Sequence, residues 1–371
     1  MGLSRSAPRI VAALWVLVFF MPCHCLAANY VYSYWLLDDP DGSTRYRLTV
    51  SATTSLYEYY LSKNHNLPPY EFAQFVTPKA LEPIAEDLWD IYNDEEDFAN
   101  GVLMILHQVP YEESNRKYPV ETIVENEGDC DTFSYLAASI MKAGGLEVVL
   151  LYYEAESHMN VGVHLSRSPQ DSRSSIHSYS YQGRKYYVAE CTGGKWENGW
   201  RVGECPEEFE GASVAIITLE NCENQSPGEV SSSYNSLVSS SISLVLSSTY
   251  TMRSQTVIIS GSISPLRSHK NVTVYYGLGS SWSALETLVT DANGTYSYMW
   301  RPSSAGMYYI RASWSGDLEY AGADSRICRL VVISVFWLIL GIIAIVITSV
   351  AIVRVLLARQ ARPPAEVQSS L

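Results

Sequence analysis

Between residues 29 and 222 the chain predicts an α+β fold, followed by an all-β unit that leads into one long apolar helix. Three observations carry this. Apolar residues recur at helical spacing over 83–92, 97–108 and 133–141, and β-rich runs at 147–154, 158–165, 185–191 and 213–219 come after them. That order predicts helices packed on an antiparallel sheet. Further along, 241–247, 256–262, 271–276, 294–300 and 306–314 alternate between turn residues at the spacing of a small β-sandwich, and 331–353 is almost wholly apolar.

Each segment has its own justification. Arg5 and Arg9, an apolar run over 10–21 and the small residues Ala27 and Ala28 have the layout of a secretory signal peptide, 1–28. Aromatic and β-branched residues over 30–37 and 45–51 flank Asp38-Asp39-Pro40-Asp41-Gly42, which reads as a hairpin. Asp94, Glu95, Glu96 and Asp97 suit a helix N-terminus. In the helix that begins at Cys130, Phe133, Leu136, Ala137, Ile140 and Met141 form one apolar face, and Gly144-Gly145 supplies the stop. Serine then dominates 223–237, read as a linker between the domain at 29–222 and a sandwich at 238–328. The 331–353 run is long enough to cross a bilayer, and Arg354, Arg359 and Arg362 place the tail, 354–371, in the cytoplasm. The expected topology is single-pass type I, with most of the chain outside the cell membrane.

A formal charge of -14 argues against a nucleic-acid partner, because phosphate binding needs a basic surface. After signal removal Cys130, Cys191, Cys205, Cys222 and Cys328 remain, an odd set. A bridge among Cys191, Cys205 and Cys222 and a fully reduced, buried set are both open. The spacing suits no metal site, no cofactor is called for and nothing resembles a Ca²⁺ loop. Asn224, Asn271 and Asn293 head glycan acceptor sequences.

Cys130 opens its helix, where backbone N–H groups and the helix dipole favour a thiolate, so it is the candidate nucleophile. Asp129 and Asp131 flank it and oppose that charge. Such a thiol needs a base, and the base needs an acid to orient it. His158 and His164 lie on one face of a strand-like run with Asn160 and Gly162, and His158, at the accessible end, is the better base. Glu190 ends the next strand before a glycine turn and is the candidate acid.

Gly128-Asp129-Cys130-Asp131, His158-Met159-Asn160-Val161-Gly162-Val163, Tyr187-Val188-Ala189-Glu190-Cys191-Thr192 and Gly199-Trp200-Arg201-Val202-Gly203 together resemble the transglutaminase-like superfamily of papain-like folds. More narrowly, with Gln108-Val109-Pro110-Tyr111 and Tyr118-Pro119-Val120-Glu121-Thr122, they resemble its prokaryotic, often archaeal, membrane-associated branch. The resemblance covers 30–219 and implies a triad of Cys130, His158 and Glu190, with Glu190 where the family more often has Asp. By analogy it offers Gln108 as an oxyanion donor beside the Cys130 amide, with a buried hydrogen-bonding residue at a helix end as the other reading; Trp200 reads as a pocket wall or a core residue. It also implies acyl transfer through a Cys130 thioester: peptide or amide hydrolysis if water accepts, isopeptide cross-linking if a lysine amine does. A protein or peptide at the cell surface is the expected partner. Two rival readings stand beside hydrolysis: a surface binding or adhesion module without catalysis, and Cys130 as a disulfide partner.

Overall fold

The computed structural model describes residues 29–360 apart from 194, 236 and 280, and in the last helix the side chains of 343–354 and 357. The expected signal peptide and the tail beyond 360 lie outside the described residues.

Alternating aromatic and β-branched residues form an antiparallel hairpin, β1 (Tyr30–Leu37) and β2 (Arg45–Ala52), with Tyr30 opposite Ala52 and Leu37 opposite Arg45. Helix α1 (Thr54–Leu61) follows, capped by the Thr53 side chain. Next come two 3₁₀ segments, α2 (Glu82–Ile91) and α3 (Glu95–Leu106), the last capped by Asp94 with three acids in its first turn. A short α4 (Pro119–Glu125) ends on Asn126 in the left-handed conformation, and α5 (Cys130–Ala143) then runs through the core.

From α5 the chain builds β3 (Glu147–Tyr153), β4 (His158–His164), β5 (Ser178–Tyr181), β6 (Arg184–Ala189) and β7 (Ala215–Thr218). These pair in the order β5-β6-β4-β3-β7, antiparallel throughout. Period two gives the sheet two apolar faces. Met159, Val161 and Val163 join the main core with α5, while Val149, Leu151, Tyr153 and Val188 form a second cluster behind it. Each such buried aliphatic contributes about 1.5–3 kcal/mol.

The serine-rich 223–237 differs from the linker expected. Ser231–Ser233 is a strand, β8, paired to β2 as the third strand of the first sheet and packed under α2. Serine there is small enough to pass beneath a helix, and the backbone pairing replaces the lost water contacts.

Strands β9 (Ser241–Ile242), β10 (Val245–Leu246), β12 (Val257–Ser264) and β15 (Thr295–Trp300) make one further sheet. The facing one comprises β11 (Tyr250–Met252), β13 (Asn271–Leu278), β14 (Ser281–Val289), β16 (Gly306–Gly316), β17 (Ala321–Asp324) and β18 (Cys328–Ile333). Ile259, Val274, Ile310, Trp314 and Leu330 fill the space between them. Against the first unit, Asp324 accepts from the Ser55 amide at 2.8 Å and hydroxyl at 2.5 Å at the start of α1, and Arg311 pairs with Glu58. The architecture as a whole is mixed α and β with mainly antiparallel sheets, the pairing of β11 with β18 being parallel.

After β18 comes α6 (Val335–Gln360). Among the described residues no helix is long and apolar enough to cross a membrane.

Candidate active site

Cys130 is the first residue of α5, reached through a tight approach. Asp129 caps the helix by accepting from the Thr132 amide at 3.1 Å, and Thr132 Oγ1 accepts from the Asp129 amide at 2.8 Å. A Cβ on Gly128 would meet Thr132 Oγ1 at 2.2 Å, so only glycine fits before the cap. Cys130 is 8% exposed. Its Sγ lies 3.7 Å from Asp131 Oδ1 and 3.8 Å from the Ser157 carbonyl. Asp131 is paired with Arg116 at 3.3 Å, which offsets part of the negative charge expected beside the nucleophile.

The β3–β4 hairpin turns through Ser157, whose φ is +50°, and delivers His158 to the thiol. His158 is 9% exposed, and its Nε2 lies 3.1 Å from Glu190 Oε2 and 3.1 Å from Asn160 Oδ1. Nδ1 is thus the ring nitrogen left for Cys130. Burial works to lower the His158 pKa, but hydrogen bonds with Cys130 and Glu190 and their charges overcome it and raise it to about 10. Glu190 is 0% exposed. Burial pushes its pKa up, and His158 and Thr192 outweigh that and hold it below the usual range. Its Oε1 accepts from the Thr192 amide at 2.8 Å and the Thr192 hydroxyl at 2.6 Å.

The structure therefore brings Cys130, His158 and Glu190 together. It does not leave Gln108 free to serve an oxyanion. Both hydrogens of its Nε2 go to carbonyls, those of Trp35 and Met104, each at 2.8 Å, and its Oε1 accepts from the Trp35 amide at 2.8 Å. Gln108 ties β1 to the end of α3. His164 stands at the far end of β4, with Nδ1 2.9 Å from the Lys185 carbonyl. Trp200 is half-buried and borders a small recess with Pro40, His107 and Arg201.

Four contributors escape a reading of the sequence for the triad alone. Asn160 shares His158's strand face, a signal that was available in the alternation. Thr192 fixes Glu190 from two residues on. His107, its pKa lowered by burial, places Nε2 3.2 Å from the Glu190 carbonyl. Phe209, on a 3₁₀ turn remote in sequence, stacks on the His158 ring at 4.1 Å and 7°. No local pattern marks it.

All five described cysteines are free. Cys191 is sealed in the main core and Cys205 in the cluster behind the sheet, so the bridge left open by the sequence is not formed. Among the described residues no group of three or more His, Cys, Asp or Glu is placed to hold a metal ion.

No family model matches this chain, and no curated protein does. Among solved structures, the D00-D0 domain of Intimin is similar at 7% identity and a TM-score of 0.21, over 51% of this chain and 80% of that one. The D0-D1 domain of Intimin is similar at 11% identity and a TM-score of 0.17, over 47% and 89%. Likeness of that degree carries no argument about fold or chemistry.

Proposed function

We propose that this chain is a membrane-anchored, extracytoplasmic cysteine hydrolase of the transglutaminase-like, papain-like type, cleaving peptide or amide bonds through a thioester on Cys130. The observation that carries the reading is the succession of Cys130, His158 and Glu190, with a carboxylate 3.1 Å from the imidazole nitrogen that faces away from the thiol. In this reading His158 takes the thiol proton through Nδ1, and the sulfur electron pair attacks the substrate carbonyl. His158 then gives the proton to the departing nitrogen and later draws one from the water that hydrolyses the thioester. Glu190 holds the imidazolium and fixes which ring nitrogen faces the sulfur. Water is the acceptor favoured at an exposed surface.

In the same proposal the apolar run 331–353 read from the sequence is the anchor, which the described residues of α6 do not by themselves supply. Val335 through Val353 carries no ionisable side chain, Arg354 and Arg359 follow, and Ile343, Ile345, Ile347 and Ile352 are exposed, which suits lipid better than water. The two sheets before it are an immunoglobulin-like stalk. Incubating the full chain in detergent with a mixed peptide library, read by mass spectrometry, should yield cleaved or deamidated products that Cys130→Ala does not make. Equal yields from the variant would remove the claim.

A further inference from the structure

With Gln108 committed to Trp35 and Met104, the oxyanion of a tetrahedral intermediate on Cys130 needs a donor other than the one the resemblance offered. The Cys130 amide remains, since the first N–H groups of a helix have no intrahelical acceptor. We propose that the phenol of Tyr111 is the second donor; the inference rests on the acyl-transfer reading above.

The backbone sets Tyr111 beside the nucleophile. Tyr111 forms an isolated parallel bridge with Gly128, fastened by Gly128 N–H to the Pro110 carbonyl at 3.2 Å and Glu112 N–H to the Gly128 carbonyl at 2.8 Å. Gly128 is two residues from Cys130, so the clamp locks the 110–112 segment to the loop that feeds α5. The Tyr111 ring rests edge-on against Phe133, one turn along α5 from Cys130, at 6.3 Å and 76°. Its residue is 52% exposed, open to an arriving substrate, and its hydroxyl has no partner among the described residues. Partial burial, then the negative charges of Cys130, Asp129, Glu113 and Asp131, push the phenol pKa up, which keeps the O–H a donor at any working pH.

As the Sγ electron pair forms the S–C bond, the carbonyl π pair moves onto oxygen. Tyr111 O–H and Cys130 N–H hold that oxygen by hydrogen bonds, and neither gives up its proton. The carbonyl then re-forms, the C–N bond breaks, and the nitrogen leaves with the proton His158 took from the thiol.

Alkylation of a thiol by iodoacetamide passes through no oxyanion, whereas acylation by an ester does, so the two separate the roles. With the full chain in detergent, Tyr111→Phe should slow acylation by p-nitrophenyl acetate by about 100-fold and leave iodoacetamide alkylation of Cys130 within twofold. Acylation by Tyr111→Phe at the wild-type rate overturns the proposal. So does an equal loss in both reactions, which would mean that Tyr111 acts on the thiol itself. If Cys130 in His158→Ala is alkylated as fast as in the wild type, the acyl-transfer reading falls first and the role of Tyr111 with it. Because the clamp is made by backbone atoms, Tyr111→Phe keeps the fold.

Discussion

Replacing Glu190 with Gln keeps the shape of the side chain and removes its charge where it is most felt. The carboxylate is fully buried, 3.1 Å from His158 Nε2. An opposite charge that close moves a pKa by roughly 1–3 units. Taking about 2 units at ~1.4 kcal/mol each, the imidazolium loses ~2.7 kcal/mol. The sign follows from the geometry. Glu190 raises the His158 pKa, so without it His158 falls from about 10 toward the ordinary imidazole value and accepts the thiol proton less readily. At constant proton count, two units shift the balance between the thiolate–imidazolium pair and the neutral thiol–imidazole pair about 100-fold toward the neutral one. Iodoacetamide alkylation of Cys130 at pH 6.5, followed by intact mass, should therefore be about 100-fold slower in Glu190→Gln than in wild type. Glu190→Asp, one methylene short of the ring, should fall between. A Glu190→Gln rate within twofold of wild type would refute the reasoning, since the carboxylate would then have no hold on the imidazole.

Other perturbations have equally definite outcomes. Phe209→Ala uncovers the face of His158 and should slow acylation about tenfold, with Phe209→Tyr restoring it, read by the same ester assay. Gln108→Leu should leave acylation within threefold and cost ~1–2 kcal/mol in denaturant unfolding, because it unties β1 from α3. Asp87 is buried under β8, and burial raises its pKa to about 6. Its folded form binds a proton more tightly than the unfolded chain, so its contribution is intact below pH ~4 and is lost as pH rises through 6. Asp87→Asn should accordingly stabilise by ~2 kcal/mol at pH 7 and by nothing at pH 4 in unfolding curves. Asp324→Ala strips the buried cap from α1 and should cost ~2–3 kcal/mol by the same measurement.

Much of this arrangement was legible because the chemistry is local in sequence. A capped helix start names Cys130, and strand alternation puts His158 at the mouth of the sheet. Tertiary neighbours decided what was not. The role of Gln108 depends on Trp35, seventy-odd positions away, and no spacing rule reports that a distant strand consumes an amide. Helix α1, Thr-Ser-Leu-Tyr-Glu-Tyr-Tyr-Leu, is rich in residues that favour strands and is stabilised by its Thr53 cap and its contacts with Asp324 and Arg311. Helix α4 is only seven residues long, too short for periodicity to register. Ser231–Ser233 has the composition of a loop but finds an open strand edge at β2. The stacked Phe209 arrives from a turn whose path follows from the whole fold.

The central claim, a covalent acyl-enzyme on Cys130, is tested most directly by trapping it. The full chain is mixed with p-nitrophenyl acetate, quenched in acid and mapped by peptide mass spectrometry. One acetyl group should appear on Cys130, released by hydroxylamine and missing from His158→Ala. An acetyl group spread over surface lysines, with Cys130 unmodified in the wild type, would contradict the claim.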